Sequence, residues 1–183
     1  VSQNYLYKND LMLLDLIATN NWERPIYFAN PSSMSKVLAV EEYCHLEGFI
    51  YRFMPVKARN YISGVGGVNE NESYDIFMNR CQFGNLKDPG VYVDRESMRN
   101  SIIPKQNFMR TAKALVGRGE KEKAIELLDK CMVEFPDEKF SYDMYMIPFI
   151  EVYYNAGAIE KANAMTERVF EIKNQNINYY NRL

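Results

Sequence analysis

The chain has few residues suited to chemistry. One histidine (His45), one tryptophan (Trp22) and three cysteines stand among 183 residues. A lone histidine excludes sites that need paired imidazoles, and Cys44, Cys81 and Cys131 lack metal-ligand spacing. Cys131 reads as a buried thiol; Cys44 and Cys81 could form a disulfide, though free thiols are favoured. Charge of one sign is also missing. The formal net charge is −2, without the basic stripe that a nucleic-acid partner would need. The longest nearly apolar run, Leu11 to Ala18, is broken by Asp15 and is too short to span a bilayer. The chain opens on Val1 without a signal peptide and is read as a piece of a longer polypeptide.

What the chain has instead is aromatic surface, 14 Tyr and 10 Phe, and a helical hairpin written twice between Lys105 and Val169. Gly119-Glu-Lys-Glu-Lys-Ala124 aligns with Gly157-Ala-Ile-Glu-Lys-Ala162 at a spacing of 38 residues. In the first copy Phe108, Ala112, Leu115, Gly119, Ala124, Leu128, Cys131 and Pro136 follow the tetratricopeptide pattern. Small residues let paired helices approach, glycine turns the chain, and proline stops the second helix. The second copy, Met146, Ile150, Tyr153, Gly157, Ala162, Thr166 and Val169, is looser and carries Pro148 inside its first helix. Four helices are expected, over 104–118, 120–134, 139–156 and 159–174.

The N-terminal part reads as mixed. Asn9 or Asp10 caps a helix over 11–19 with Leu11, Leu14, Ile17 and Ala18 on one stripe. Pro25 allows Ile26 to Ala29 only an edge strand or a strand start. Ser35 caps a short helix through His45, and Phe49 to Val56 is a second strand, which permits a parallel pair with a helical crossover. Gly64-Val-Gly-Gly67 sits in a loop, and a flexible connection is preferred to a phosphate cradle because no Lys-Ser/Thr pair follows. Tyr74 to Asn79 is helical, Asn85 to Gly90 turns, and Val91 to Val93 adds an extended piece. Asp94 caps the helix over 95–101. The fold class is therefore α+β and mostly α, with a small mixed region over 1–94 packed on helical repeats over 95–183.

The motifs Asn21-Trp-Glu-Arg-Pro-Ile-Tyr-Phe28, Leu46-Glu-Gly-Phe-Ile-Tyr-Arg-Phe-Met-Pro-Val56, Gly84 to Tyr92 and Asn178-Tyr-Tyr180 carry a resemblance. They resemble the soluble C-terminal region of bacterial multi-spanning membrane proteins similar to protein O-mannosyltransferases. In such relatives the chain continues past Tyr180. The resemblance implies a lipid-linked sugar donor, transfer on the periplasmic face of the inner membrane, and a catalytic acid in the membrane part, outside this segment. It makes the membrane portion of the same polypeptide, and an acceptor polypeptide, the expected partners.

No catalytic residue, metal ligand or cofactor site is expected here. Glu41 and His45 would share a helical face but lack a second histidine; Glu70 and Glu72 read as solvated. Arg24 is expected to anchor its strand to an acidic neighbour such as Glu47. Trp22, with Pro25, Gly119, Ala124, Gly157 and Ala162, reads as a structural anchor, its indole buried at a seam; the competing reading is a sugar-stacking platform. The expected binding face uses positions 2, 5, 9 and 12 counted from Lys105 and again from Asp143. These are Gln106, Met109, Lys113 and Val116, then Met144, Ile147, Glu151 and Tyr154. They form a peptide groove unless the N-terminal region fills it. The first functional reading is an accessory domain that positions acceptor polypeptide. The alternatives are an independent peptide-binding scaffold of tetratricopeptide type and, more remotely, a stand-alone sugar-active enzyme.

Overall fold

Hydrophobic periodicity changes along the chain, and so does the architecture. The computed structural model describes residues 5–34, 38–58 and 64–182, and the chain divides into two compact units, 1–73 and 74–183.

The first unit opens with α1 (Lys8–Thr19). Its inward face is not the expected stripe. Asp10 is buried and Leu13, Ile17 and Asn20 are half-buried, whereas Leu11, Leu14 and Ala18 are exposed. Polar anchors at both ends set this rotation. Tyr7 N donates to the Asp10 carboxylate at 2.9 Å, and Asn20 Nδ2 donates to the Arg24 carbonyl at 2.7 Å. The helix starts from Tyr7, with Asp10 folding back from the first turn.

Four short strands follow: β1 (Ile26–Phe28), β2 (Cys44–Glu47), β3 (Ile50–Phe53) and β4 (Gly67–Val68). They lie in the order β1-β3-β2-β4. Pro25 precedes β1, which takes the edge position that a proline tolerates. The expected parallel pair with a helical crossover is not formed, because β1 and β3 run antiparallel, Ile26 opposite Phe53. Among the described residues, a 3-10 turn (Val40–Tyr43) leads into β2 where the expected helix would run on to His45. Residues 35–37, the start of the expected helix, lie outside the described residues. Cys44 and Leu46 are buried while His45 is half-buried, the period-two pattern of a strand. Gly48, with φ of 65°, then turns β2 tightly into β3.

The glycine loop has a third role, neither cradle nor slack connection. β4 pairs parallel to β2, His45 with Gly67 and Leu46 with Val68. A Cβ at Gly66 would stand 2.4 Å from the Cys44 carbonyl oxygen, and one at Gly67 would stand 2.7 Å from the Ala58 Cβ. Gly66 lacks a side chain so that backbone can close on backbone, and Gly67 lacks one so that the Ala58 methyl fits against it. Its start, residues 60–63, lies outside the described residues.

Glu47 is the buried polar hub of this sheet. Asn69 Nδ2 donates to its Oε1 at 2.9 Å, the Tyr27 hydroxyl to its Oε2 at 3.3 Å, and Arg52 Nη1 lies 3.7 Å from Oε1. Arg52, not Arg24, is therefore the arginine on this carboxylate, because the β2–β3 register sets residue 52 beside it.

After α2 (Glu70–Asp75) a π-type turn (Ile76–Arg80) opens the second unit. There Phe77 stacks on Phe108 with ring centroids 4.1 Å apart. Residues 74–94 thus lie with the helical unit. Val91 to Val93 form no strand. Lys139 Nζ donates to the carbonyls of Leu86 at 3.1 Å and Val91 at 2.6 Å, and also to that of Asp88. Those acceptors hold a loop and are spent for a ladder. Asp94 caps α3 (Arg95–Asn100) as expected, its Oδ1 accepting from Glu96 N at 2.9 Å and Ser97 N at 3.0 Å.

The repeat region is helical throughout: α4 (Ile102–Gly117), α5 (Lys121–Glu134), α6 (Ile147–Ala156) and α7 (Ile159–Tyr180). Consecutive helices pack as two hairpins, α4 on α5 and α6 on α7, and α4 also packs on α6. Both turns close alike. Glu120 N donates to the Leu115 carbonyl and Gly119 N to that of Val116, each at 2.9 Å. Ala158 N to Tyr153 and Gly157 N to Tyr154 repeat the arrangement at 2.9 and 3.0 Å. The two glycines have φ of 85° and 90°, the left-handed conformation this closure requires. Phe108, Ala112, Leu115, Ala124, Leu128, Cys131 and Ala162 are fully buried.

Two helix boundaries differ from expectation. The third helix starts as a 3-10 turn at Met144, with Asp143 Oδ1 accepting from Tyr145 N at 2.8 Å. Pro148 therefore sits in the first turn of α6, where its missing N–H costs nothing. The fourth helix runs on to Tyr180, six residues past the expected end at 174.

Candidate functional site

The two groups of expected groove residues fall on α4 and on the 3-10 turn and α6, first helices of their hairpins and packed against each other. One contact joins the groups, Lys113 Nζ to Glu151 Oε1 at 2.8 Å. On the first copy the face is partly sunk: Met109 is buried, and Gln106, Lys113 and Val116 are half-buried. On the second it stands open. Met144 is 66% exposed, Ile147 55% and Tyr154 40%, with Glu151 between them on the same stripe. The Tyr154 hydroxyl donates to Asn163 Oδ1 at 2.5 Å, fixing the ring on its α7 neighbour. The result is an amphipathic stripe with flexible and aromatic apolar groups and a charged pair at its centre. Such a stripe offers shape and register to an extended or helical peptide, without a group poised for bond making.

The sequence reading missed a polar cleft of about 290 Å³ lined by Asp129, Met132, Tyr142, Tyr153, Lys161, Ala164, Met165 and Arg168. Its charges are mutually committed. Asp129 accepts from the Tyr153 hydroxyl at 3.0 Å and from Lys161 Nζ at 2.5 Å. Asp137 accepts from Arg168 Nε at 2.6 Å and from Tyr142 N at 2.8 Å. Burial, then the Asp137 charge, pushes the Tyr142 phenol up to about 12. Burial and then Asp129 push Tyr153 higher still. Both phenols stay protonated near neutrality, and the carboxylates are ion-paired, so the cleft fastens α5 and α6 to α7. Asp129 and Lys161 stand on the second helices of successive hairpins, so only the packing of one hairpin beside the next makes the pair legible.

Trp22 departs from the buried-plug expectation. It is 48% exposed and stacks one face on Phe53, centroids 5.8 Å apart and planes 23° from parallel. Asn21 and Trp22 both have positive φ, 47° and 59°, a costly conformation for residues with side chains. A cleft of about 300 Å³ lies here, lined by Trp22 to Ile26 and by Arg52 to Pro55.

His45 stands on β2 and not on a helix with Glu41; its Nε2 is 3.3 Å from the Val56 carbonyl oxygen. Among the described residues no group of three or more His, Cys, Asp or Glu could hold a metal ion. Cys44, Cys81 and Cys131 are free thiols, and burial pushes Cys44 up to about 12. No helix among the described residues is long and apolar enough to cross a membrane.

The fold and this face define a class: an α+β chain whose helical part is a pair of hairpins bearing an open amphipathic stripe. A family model described as TMEM260-associated domain 2 matches residues 1–73, the span of the first compact unit. No curated protein and no solved structure matches the chain.

Proposed function

We propose that this chain is a non-catalytic accessory domain of a TMEM260-like membrane protein, and that its hairpins hold acceptor polypeptide for a glycosyltransferase-like membrane portion. The family match over residues 1–73 supports the accessory placement. The resemblance of Arg24 to Phe28 and of Leu46 to Val56 to the C-terminal region of O-mannosyltransferase-like proteins supports the glycosyl-transfer context and the periplasmic side of the membrane. The observation that carries the role is the open stripe Met144, Ile147, Glu151 and Tyr154, tied to α4 through Lys113. In the tetratricopeptide pattern these positions line the inner face, where a peptide lies. The polar cleft, with its acids already paired, supports a holding role over a catalytic one.

Binding of the 183-residue chain to an array of extended, unmodified peptides tests this reading. Some peptides should bind saturably, and Ile147→Asp should weaken them at least about tenfold, a loss of roughly 1.4 kcal/mol. Peptide binding indifferent to Ile147→Asp would remove the stripe from the function. Sugar transfer or glycoside hydrolysis by the purified chain, abolished by one Asp or Glu substitution, would overturn the non-catalytic reading.

A further inference from the structure

Trp22 is held in a conformation that its neighbours must maintain against strain. Two consecutive side-chain-bearing residues, Asn21 and Trp22, sit at positive φ, and Asn20 Nδ2 clamps the turn by donating to the Arg24 carbonyl. The strain does not serve burial, because the indole remains about half exposed. It lays one ring face on Phe53 and leaves the rest beside a cleft of about 300 Å³.

The lining has the composition of a small-ligand site, apolar surface with a few polar groups. Ile26, Phe53, Met54, Pro25 and Pro55 supply the apolar part; Glu23, Arg24 and Arg52 supply the charges. Arg52 is only loosely held, 3.7 Å from Glu47, with its side chain 44% exposed. Arg24 makes no ion pair among those the structure shows for the described residues and is exposed. A rigid aromatic face flanked by planar guanidinium and carboxylate groups suits a ligand with one apolar face and a rim of hydroxyls.

We infer that the Trp22 cleft is a carbohydrate-binding site. A pyranose ring lays its axial C–H face on the indole while Arg24, Arg52 and Glu23 bond its hydroxyl rim. With two guanidinium groups against one carboxylate in the lining, a uronate-bearing chain binds tighter than a neutral one.

Trp22 is the only tryptophan, so the fluorescence of the whole chain reports on this site alone. Titration should use neutral hexopyranose tetrasaccharides, hexuronate tetrasaccharides and a proline-rich peptide. The expected result is a saturable emission shift with both saccharide sets, stronger for the uronates, and none with the peptide. Calorimetry should then show saccharide binding lost in Trp22→Ala, retained but weaker in Trp22→Phe, and reduced at least about fivefold in Arg24→Ala. The thermal midpoint of Arg24→Ala should match wild type. No saturable change up to roughly 10 mM saccharide would overturn the inference. So would binding unaffected by Trp22→Ala, or a response to the proline-rich peptide alone. The site lies within residues 22–55 and shares no residue with the helical stripe, so its failure leaves the peptide-holding reading standing.

Discussion

Lys113 and Glu151 hold the same place in two successive hairpins, 38 residues apart, and their side chains meet at 2.8 Å. The contact records the repeat in three dimensions: equivalent positions on α4 and α6 are neighbours because the first helices of the two hairpins pack side by side. Both groups are partly exposed, 34% and 52%, so the pair sets register more than stability. Reversing either charge should cost no more than about 1 kcal/mol, and the double swap Lys113→Glu with Glu151→Lys should recover most of it. Chemical denaturation of the four proteins checks this. A double swap no better than the worse single variant would mean that the two charges do not couple.

Ala124 is fully buried on α5, the helix that packs on α4. Ala124→Leu adds volume where there is none and should cost about 1–3 kcal/mol by overpacking. An unchanged thermal midpoint would show that the hairpin closes differently.

Gly66 tests the sheet in the same way. With φ of 69° and a Cys44 carbonyl oxygen 2.4 Å from where a Cβ would stand, it has room for neither the side chain nor its preferred backbone. Gly66→Ala should cost more than about 1 kcal/mol and should loosen the β2–β4 pairing. Amide exchange at Asn69, whose N–H donates to the Leu46 carbonyl across the β2–β4 pair at 3.0 Å, should quicken; protection equal to wild type would count against the parallel pairing.

Alkaline pH should destabilise the chain. Burial raises the Cys44 thiol from 9.0 and the Tyr142 phenol from 10.0, each to about 12, and raises Cys131 and Tyr153 as well. These groups keep their protons in the folded state after the unfolded chain has lost them. Their contribution is whole below the unfolded values and is lost as pH climbs from about 9 toward 12. Lys105 opposes them. Burial lowers its pKa from 10.5, so the unfolded chain holds that proton longer and stability gains with pH just below 10.5. Burial raises Tyr27, Tyr74 and Cys81 as well, so the raised groups outweigh Lys105 and the net effect is a loss. Urea midpoints between about pH 8 and pH 10.5 should fall, and less steeply in Tyr153→Phe. A flat profile would refute the assignment.

The hairpins could be read from the sequence because their signals are local and periodic. Gly119 and Gly157 fix both turns by the same backbone requirement, and the small residues Ala124 and Ala162 mark the close approaches. Asp94 likewise caps its helix through neighbours two and three residues on. In the N-terminal sheet β1 and β3 were legible as extended segments, but β2, β4 and the strand pairing were not. Residues 40–47 carry no local preference strong enough to choose helix or strand, and β2 is extended because β3 and β4 bond to both its edges. The rotation of α1 rests on Asp10 and Asn20 reaching backbone at its two ends, which outweighs a row of leucines. Trp22 was decided by tertiary structure for the same reason. Composition favours burying a lone tryptophan, but its turn at positive φ and the Phe53 ring lay it on the surface. Local backbone chemistry is written in neighbouring residues, whereas strand partners and the exposure of a ring depend on what the rest of the chain brings beside them.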